Sequence, residues 1–139
     1  MIDKVHEHIV NELQQGSRTD TIFIVTAVLF NLIVLGINSA LAGSAASENA
    51  SSSNDSVLVV FVIMGIIVNV ISMTALSTGK NTRNKLLKGL LSMYQDNQVD
   101  KYYDASLLTH YNKRYLLFTG VIACLMLVSI VVPLFIRFL

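Results

Sequence analysis

The chain has 139 residues, of which 53% are apolar and only 14% are charged. A soluble domain usually carries about a quarter charged residues, so this composition argues against a soluble globular protein. The net charge of +1 gives no support for nucleic-acid binding, which usually requires a basic face. We therefore expect the lipid bilayer, and no nucleic acid, among the partners of the chain.

Three long segments, residues 21–47, 56–79 and 115–136, contain no charged residue at all. An α-helix rises about 1.5 Å per residue, so about 20 apolar residues cross a hydrocarbon core of about 30 Å. Each segment is long enough. The sequence predicts an all-α membrane protein with three transmembrane helices.

Residues 1–18 precede the first span and show helical periodicity. Ile2, Val5, Ile9 and Leu13 are apolar, with charged and amide residues between them. This pattern predicts an N-terminal amphipathic helix on the membrane surface or against other cytoplasmic helices, with Gly16 ending it. The acidic residues near the N-terminus do not resemble a signal peptide, so we expect the first span to remain in the mature protein.

Residues 19–79 are predicted to form a transmembrane hairpin, with spans at about 20–45 and 56–79 and an outer loop at 46–55. Asn31 and Asn38 share one face of the first span. Gly36, Ala40 and Gly43 lie on roughly the opposite face, at a spacing that favours close contact between helices. Two such faces predict two neighbouring helices, only one of which need belong to the same chain. The loop is rich in Ser, Ala and Asn, and we expect it to be flexible.

The second span carries a single stripe of small and polar residues among otherwise large apolar ones. The members of the stripe follow spacings of three and four and include Gly65, Asn69, Ser72, Ala75 and Gly79. In lipid such a face usually packs against another helix. We expect this span to lie at the centre of a bundle.

Residues 80–113 form a basic segment between the second and third spans. Seven Lys and Arg residues lie between Lys80 and Arg114, whereas residues 44–55 contain none. The positive-inside rule then predicts that this segment and the N-terminus are in the cytoplasm and the C-terminus is outside, and we expect the chain in the plasma or inner membrane. Apolar stripes on either side of residues 96–101 predict a cytoplasmic helical hairpin. The cluster Lys80, Arg83, Lys85 and Lys88 is a candidate contact for lipid headgroups, or only a topology signal.

Residues 114–139 contain the third span. Gly120 belongs to a small-residue patch near its cytoplasmic end, and we predict that it packs against another helix. Pro133 cannot donate to the carbonyl of Ser129, so a kink is expected there.

The intramembrane asparagines allow two interpretations. Asn31, Asn38 and Asn69, with Ser72, either hydrogen-bond between helices or line a water path in an oligomer. Hydrogen bonding between helices is the simpler interpretation, because an amide left unsatisfied in hydrocarbon costs several kcal/mol.

No charged residue or histidine lies within a span core, and the sequence contains no metal-binding, cofactor-binding or catalytic motif. We therefore predict a non-enzymatic membrane protein without a cofactor. The leading hypothesis is a homo-oligomer that acts as a pore or membrane-disrupting effector, gated through its cytoplasmic helices. The alternative is an accessory or structural subunit of a larger membrane complex.

Overall fold

The computed structural model describes residues 2–45, 52–103 and 106–138 as three long helices and one short one. These are α1 (Ile2–Ala45), α2 (Ser52–Asp96), a 3-10 helix (Asp100–Tyr102) and α3 (Ser106–Phe138). Each long helix contains a stretch that is long and apolar enough to cross a membrane. The all-α class and the three candidate spans are confirmed.

The helices are longer than the predicted spans. Gly16 lies inside α1, so the predicted helix end at this residue is wrong. A glycine ends a helix when it takes up a left-handed conformation, and none of the described glycines has a positive φ. The cost of an interior glycine, about 1 kcal/mol relative to alanine, is small enough for contacts on either side to outweigh it.

The last part of the predicted outer loop, residues 52–55, belongs to helix α2. Helix α2 begins at Ser52, so residues 52–55 are helical rather than part of the loop. Residues 46–51, the rest of the predicted flexible loop, lie outside the described residues.

Helix α2 continues past Lys80 without a break. Its 45 residues correspond to about 65 Å of helix, roughly twice the thickness of a hydrocarbon core. Residues 80–113 therefore include the end of α2, a reversal and the start of α3. In the reversal Gln98 has φ 58°, and the amide of Val99 donates to the carbonyl of Tyr94 at 2.9 Å. We call this end of the bundle the turn end and the opposite end the far end.

The three helices pack as a bundle in which α1 contacts both of the others. Near the turn end His6 Nε2 lies 3.2 Å from the Tyr94 hydroxyl, which makes α1 and α2 antiparallel. At the far end the Arg137 guanidinium binds the Asp55 carboxylate through two nitrogens, each at 3.1 Å. Between the ends, a core cluster is formed by Ala27, Leu76, Tyr115 and Ile122.

Candidate functional site

Two of the three predicted asparagines form a reciprocal amide pair at the contact between α1 and α2. Asn31 Nδ2 donates to Asn69 Oδ1 at 2.8 Å, and Asn69 Nδ2 donates back to Asn31 Oδ1 at 2.9 Å. Each Nδ2 also donates to a carbonyl one turn earlier, that of Ala27 at 2.8 Å or Gly65 at 2.7 Å. These four hydrogen bonds satisfy all four amide hydrogens inside a single chain. Both side chains are buried, where an unpaired amide would be costly.

Helix α3 approaches this pair through Ser129. The Ser129 hydroxyl donates to the carbonyl of Met126 at 2.9 Å, and its oxygen also lies 3.5 Å from Asn31 Oδ1. Pro133, one turn further along α3, is fully buried on the same side. Ser72 is buried as well, three residues after Asn69 on α2. These four polar residues, Asn31, Asn69, Ser72 and Ser129, therefore face the bundle interior from all three helices.

Asn38 differs from the other two asparagines. Its side chain is 0% exposed, and neither Nδ2 nor Oδ1 has a hydrogen-bond partner among the described residues. A buried polar group without a partner costs about 1–3 kcal/mol. The structure thus brings Asn31 and Asn69 together but leaves Asn38 without a partner in the described part of the chain.

The predicted packing glycines separate into two groups. Gly65 is buried, and a Cβ added there would lie 3.9 Å from Val34 Cγ1. Gly36, Ala40 and Gly43 are exposed on α1, and Gly120 is exposed on α3. A Cβ added at Gly36, Gly43 or Gly120 would meet no other described residue within 4 Å. Of the four predicted packing glycines, only Gly65 has a neighbour on another helix within 4 Å of an added Cβ among the described residues.

A second polar cluster joins all three helices closer to the turn end. The Tyr115 hydroxyl of α3 donates to the Asp20 carboxylate of α1. That carboxylate lies directly against Gly79 of α2, where a Cβ would collide with it. One turn further along α2, the Arg83 guanidinium carbon lies 4.5 Å from the centre of the Tyr111 ring, a cation–π contact. The residues Asp20, Gly79, Arg83, Tyr111 and Tyr115 are called the junction cluster below.

The sequence interpretation missed most of this cluster. Asp20 directly precedes one apolar segment, and Tyr111 and Tyr115 lie at the start of another, positions where helix caps and interfacial aromatic residues are common. Of the four basic residues singled out, only Arg83 belongs to the cluster. Lys85 and Lys88 are exposed on α2, and Lys80 is partly exposed.

Two cavities flank the junction cluster. The larger one, about 690 Å³, lies between α1 and α2. Its wall combines the hydroxyls of Thr19, Thr74, Thr78 and Thr82 with apolar side chains such as Phe23. The smaller one, about 270 Å³, lies between α1 and α3. Asp20 and Arg83 line both cavities.

The contacts recorded at these positions are hydrogen bonds and a cation–π contact. Among the described residues, no group of three or more His, Cys, Asp or Glu side chains is placed to hold a metal ion. Comparisons of the chain with protein-family models, curated proteins and solved structures found no match.

Proposed function

We propose that the chain is a non-enzymatic membrane protein that works as a homo-oligomer, with subunits in contact through Gly36, Ala40 and Gly43 of α1. These three residues are called the small-residue face. Its exposure, on the side of α1 that the bundle leaves uncovered, is the observation that carries the proposal. The opposite side of α1 is filled by Ala27, Asn31, Asn38 and Ala42, all of which are buried.

The physical argument concerns how helices associate in lipid. Lipid tails are as apolar as leucine, so association depends on close packing, which small residues permit. A glycine inside a helix costs about 1 kcal/mol relative to alanine. Gly36 and Gly43 incur that cost although, in the described part of the chain, no residue lies within 4 Å of a Cβ added at either position. A second subunit against this face would offset it.

The lipid-facing surface of a single chain is also large. Only 22% of the most apolar window of α2, and 17% of those of α1 and α3, is buried inside the chain. Burial of apolar surface does not itself drive association in lipid, but this surface leaves room for a second subunit at the small-residue face without disturbing the asparagine pair.

The proposal is tested by the oligomeric state of the purified chain in lipid vesicles, measured by energy transfer between labelled subunits as lipid is added. Gly43→Leu should weaken association about tenfold, because the backbones can no longer approach. Gly120→Leu is the matched control, since Gly120 is also exposed and unobstructed but lies on α3. Association that is equally weak in both variants, or a wild type that is monomeric at every lipid ratio, would refute the proposed face.

A second proposal, conduction through the oligomer, is supported by Asn38. Its buried amide lacks a partner among the described residues, and a water path would supply one. Opening would also require the Asn31–Asn69 pair to exchange its hydrogen bonds, because both amides are now satisfied within the chain. Rings of neutral amides should discriminate poorly by charge. The basic residues Lys80, Arg83, Lys85 and Lys88, at the cytoplasmic mouth of such a pore, should add a mild preference for anions that weakens as the salt concentration rises.

Bilayer recording of the purified oligomer tests conduction, with Asn31→Leu and Asn38→Leu as variants. We expect both variants to change the conductance of an open pore. If the wild type conducts and both variants leave the conductance unchanged, the asparagines do not line the path. A chain that carries no current and does not fold without another protein would instead support the accessory-subunit alternative.

We propose that the turn end and the N-terminus are cytoplasmic and the C-terminus is outside, in the plasma or inner membrane. The support is the seven Lys and Arg residues between Lys80 and Arg114. In a Cys124→Ala background, Asn97→Cys should resist a membrane-impermeant thiol reagent added to intact cells, and Ser52→Cys should react. Labelling of position 97 from outside would reverse the proposed orientation.

A further inference from the structure

We propose that the smaller cavity, between α1 and α3, binds the phosphate group of an anionic lipid. The inference goes beyond self-association and holds whether the chain is monomeric or oligomeric. The cavity is lined by two arginines, Arg83 of α2 and Arg114 of α3, which come together from different helices. Arginine is the residue best suited to phosphate because its planar fork matches the oxygen atoms.

The cavity changes from polar to apolar along the helix axis. Ser17 and Thr21 add hydroxyls beside the two arginines. Ile24 of α1 and Phe118 of α3, each about one turn further into the apolar segments, line the other side. A ligand that matches this gradient has an anionic oxygen group attached to an apolar chain.

The position of the cavity along the bundle fits a lipid headgroup. Thr21 and Tyr115 are the first residues of the charge-free segments of α1 and α3, and Arg83 lies four residues past the charge-free segment of α2. A bilayer places its phosphate groups at this boundary. The volume, about 270 Å³, lies just below the range of about 300–1,000 Å³ that is usual for whole small-molecule ligands. The cavity therefore suits a headgroup whose chains extend into the bilayer.

Charge at the site also favours an anion. Arg83 and Arg114 carry two positive charges against the single negative charge of Asp20, which accepts a hydrogen bond from Tyr115. Arg83 Nε is buried and has no hydrogen-bond partner among the described residues. The Arg83 guanidinium is held against Tyr111, and the Arg114 guanidinium carbon lies 5.6 Å from the centre of the Phe118 ring. The lining residues thus carry one positive charge in excess, and Arg83 Nε is a donor without an acceptor in the described part of the chain.

The test compares spin-labelled phosphatidylglycerol with spin-labelled phosphatidylcholine around the full chain in vesicles, at 1 M NaCl. At this salt concentration the Debye length is about 3 Å, so exposed lysines attract anionic lipid only weakly. The wild type should still prefer phosphatidylglycerol. Arg114→Gln should reduce that preference about tenfold, the loss of one charge-assisted hydrogen bond.

Lys113→Gln is the matched control, because it removes the same charge from the neighbouring exposed residue, which does not line the cavity. Arg114 is as exposed as Lys113, so the two differ in that only Arg114 lines the cavity. Lys113→Gln should change the preference less than about twofold, since a charge outside the cavity attracts the lipid only through screened long-range interaction. Equal effects of the two variants, or a wild-type preference that disappears at 1 M NaCl, would overturn the proposal. Arg114→Lys keeps the charge without the planar fork, and it should fall between wild type and Arg114→Gln if the fork matters.

Competition with glycerol 3-phosphate in the same vesicles distinguishes a lipid headgroup from a soluble phosphate compound as the ligand. Displacement of the labelled lipid supports a phosphate site that is also open to soluble compounds. A retained preference supports a site that needs the lipid chain against Ile24 and Phe118. Circular dichroism of each variant checks that the helices are intact.

Discussion

Replacing Asn31 with alanine is expected to lower the free energy of unfolding by about 2 kcal/mol, and replacing Asn69 by about 1 kcal/mol. The difference follows from what each variant leaves behind. Without Asn69, the Asn31 oxygen still lies 3.5 Å from the Ser129 hydroxyl, and Asn31 Nδ2 still donates to Ala27. Without Asn31, the Asn69 oxygen loses the donor that it has in the pair. Unfolding in mixed micelles with increasing dodecyl sulfate measures both values.

The double variant Asn31→Ala with Asn69→Ala should cost less than the sum of the single variants. A coupling of about 1 kcal/mol is expected for two directly bonded amides in a membrane protein. Asn38→Ala is the control, because it removes a side chain of the same type that is equally buried but has no partner among the described residues. If Asn38→Ala destabilises the chain as much as Asn31→Ala does, cavity formation explains the loss and the pair contributes no stability.

The positions of the polar stripes could be predicted from the sequence, whereas their partners could not. Asn31 and Asn69 are placed on interior faces by the helical period of 3.6 residues together with the cost of exposing an amide to lipid. Which residue on α2 lies opposite Asn31 depends on the longitudinal register of the two helices. Packing of the whole interface sets that register. Asn38 shows the limit of such a prediction. Its face was predicted, but its lack of a hydrogen-bond partner among the described residues was not.

Helix ends were predicted least well where a local signal competed with tertiary contacts. Gly16 is a common helix-end residue, yet α1 continues through it and reaches Tyr94 through His6. Similarly, Ser-rich sequence at residues 52–55 was interpreted as loop and is helical. Long-range contacts such as these cannot be read from a window of a few residues.

The junction cluster was missed because its members have ordinary local interpretations. Asp20 and Tyr115 are separated by 95 positions, and each fits a common boundary role by itself. The available signal was that Asp20 and Tyr115 lie at the same predicted depth in the membrane, on two different spans, where a carboxylate and a hydroxyl could form a hydrogen bond. Only the three-helix arrangement shows that they meet against Gly79.

Helices α1 and α2 contact each other at three levels, which bears on the proposed gating. His6 meets Tyr94 near the turn end, Asp20 lies against Gly79 at the junction cluster, and Asn31 pairs with Asn69 deeper in the bundle. Both helices run through all three levels without a break. Under the proposed gating, a displacement at the turn end would reach the asparagine pair along continuous helices, with no intervening loop in α1 or α2.

The close contact at Gly79 gives the second large expected effect. Gly79→Ala should lower the free energy of unfolding by about 1–2 kcal/mol, because the new methyl group displaces the Asp20 carboxylate from the Tyr115 hydroxyl. Gly89→Ala, in the same helix, should raise it by up to about 1 kcal/mol, because alanine is the better helix former and the site is open. The two substitutions are chemically identical and have opposite expected signs.

The Tyr115→Phe variant tests why Gly79→Ala lowers the free energy of unfolding. In Tyr115→Phe the hydrogen bond to Asp20 is already absent, so adding Gly79→Ala should cost less than it does in the wild type. Gly89→Ala should have the same effect in both backgrounds, since it touches neither residue. The measurement is again unfolding in mixed micelles. A Gly79→Ala variant that is stabilised as much as Gly89→Ala would show that Asp20 moves aside freely and that the junction cluster does not hold the three helices together.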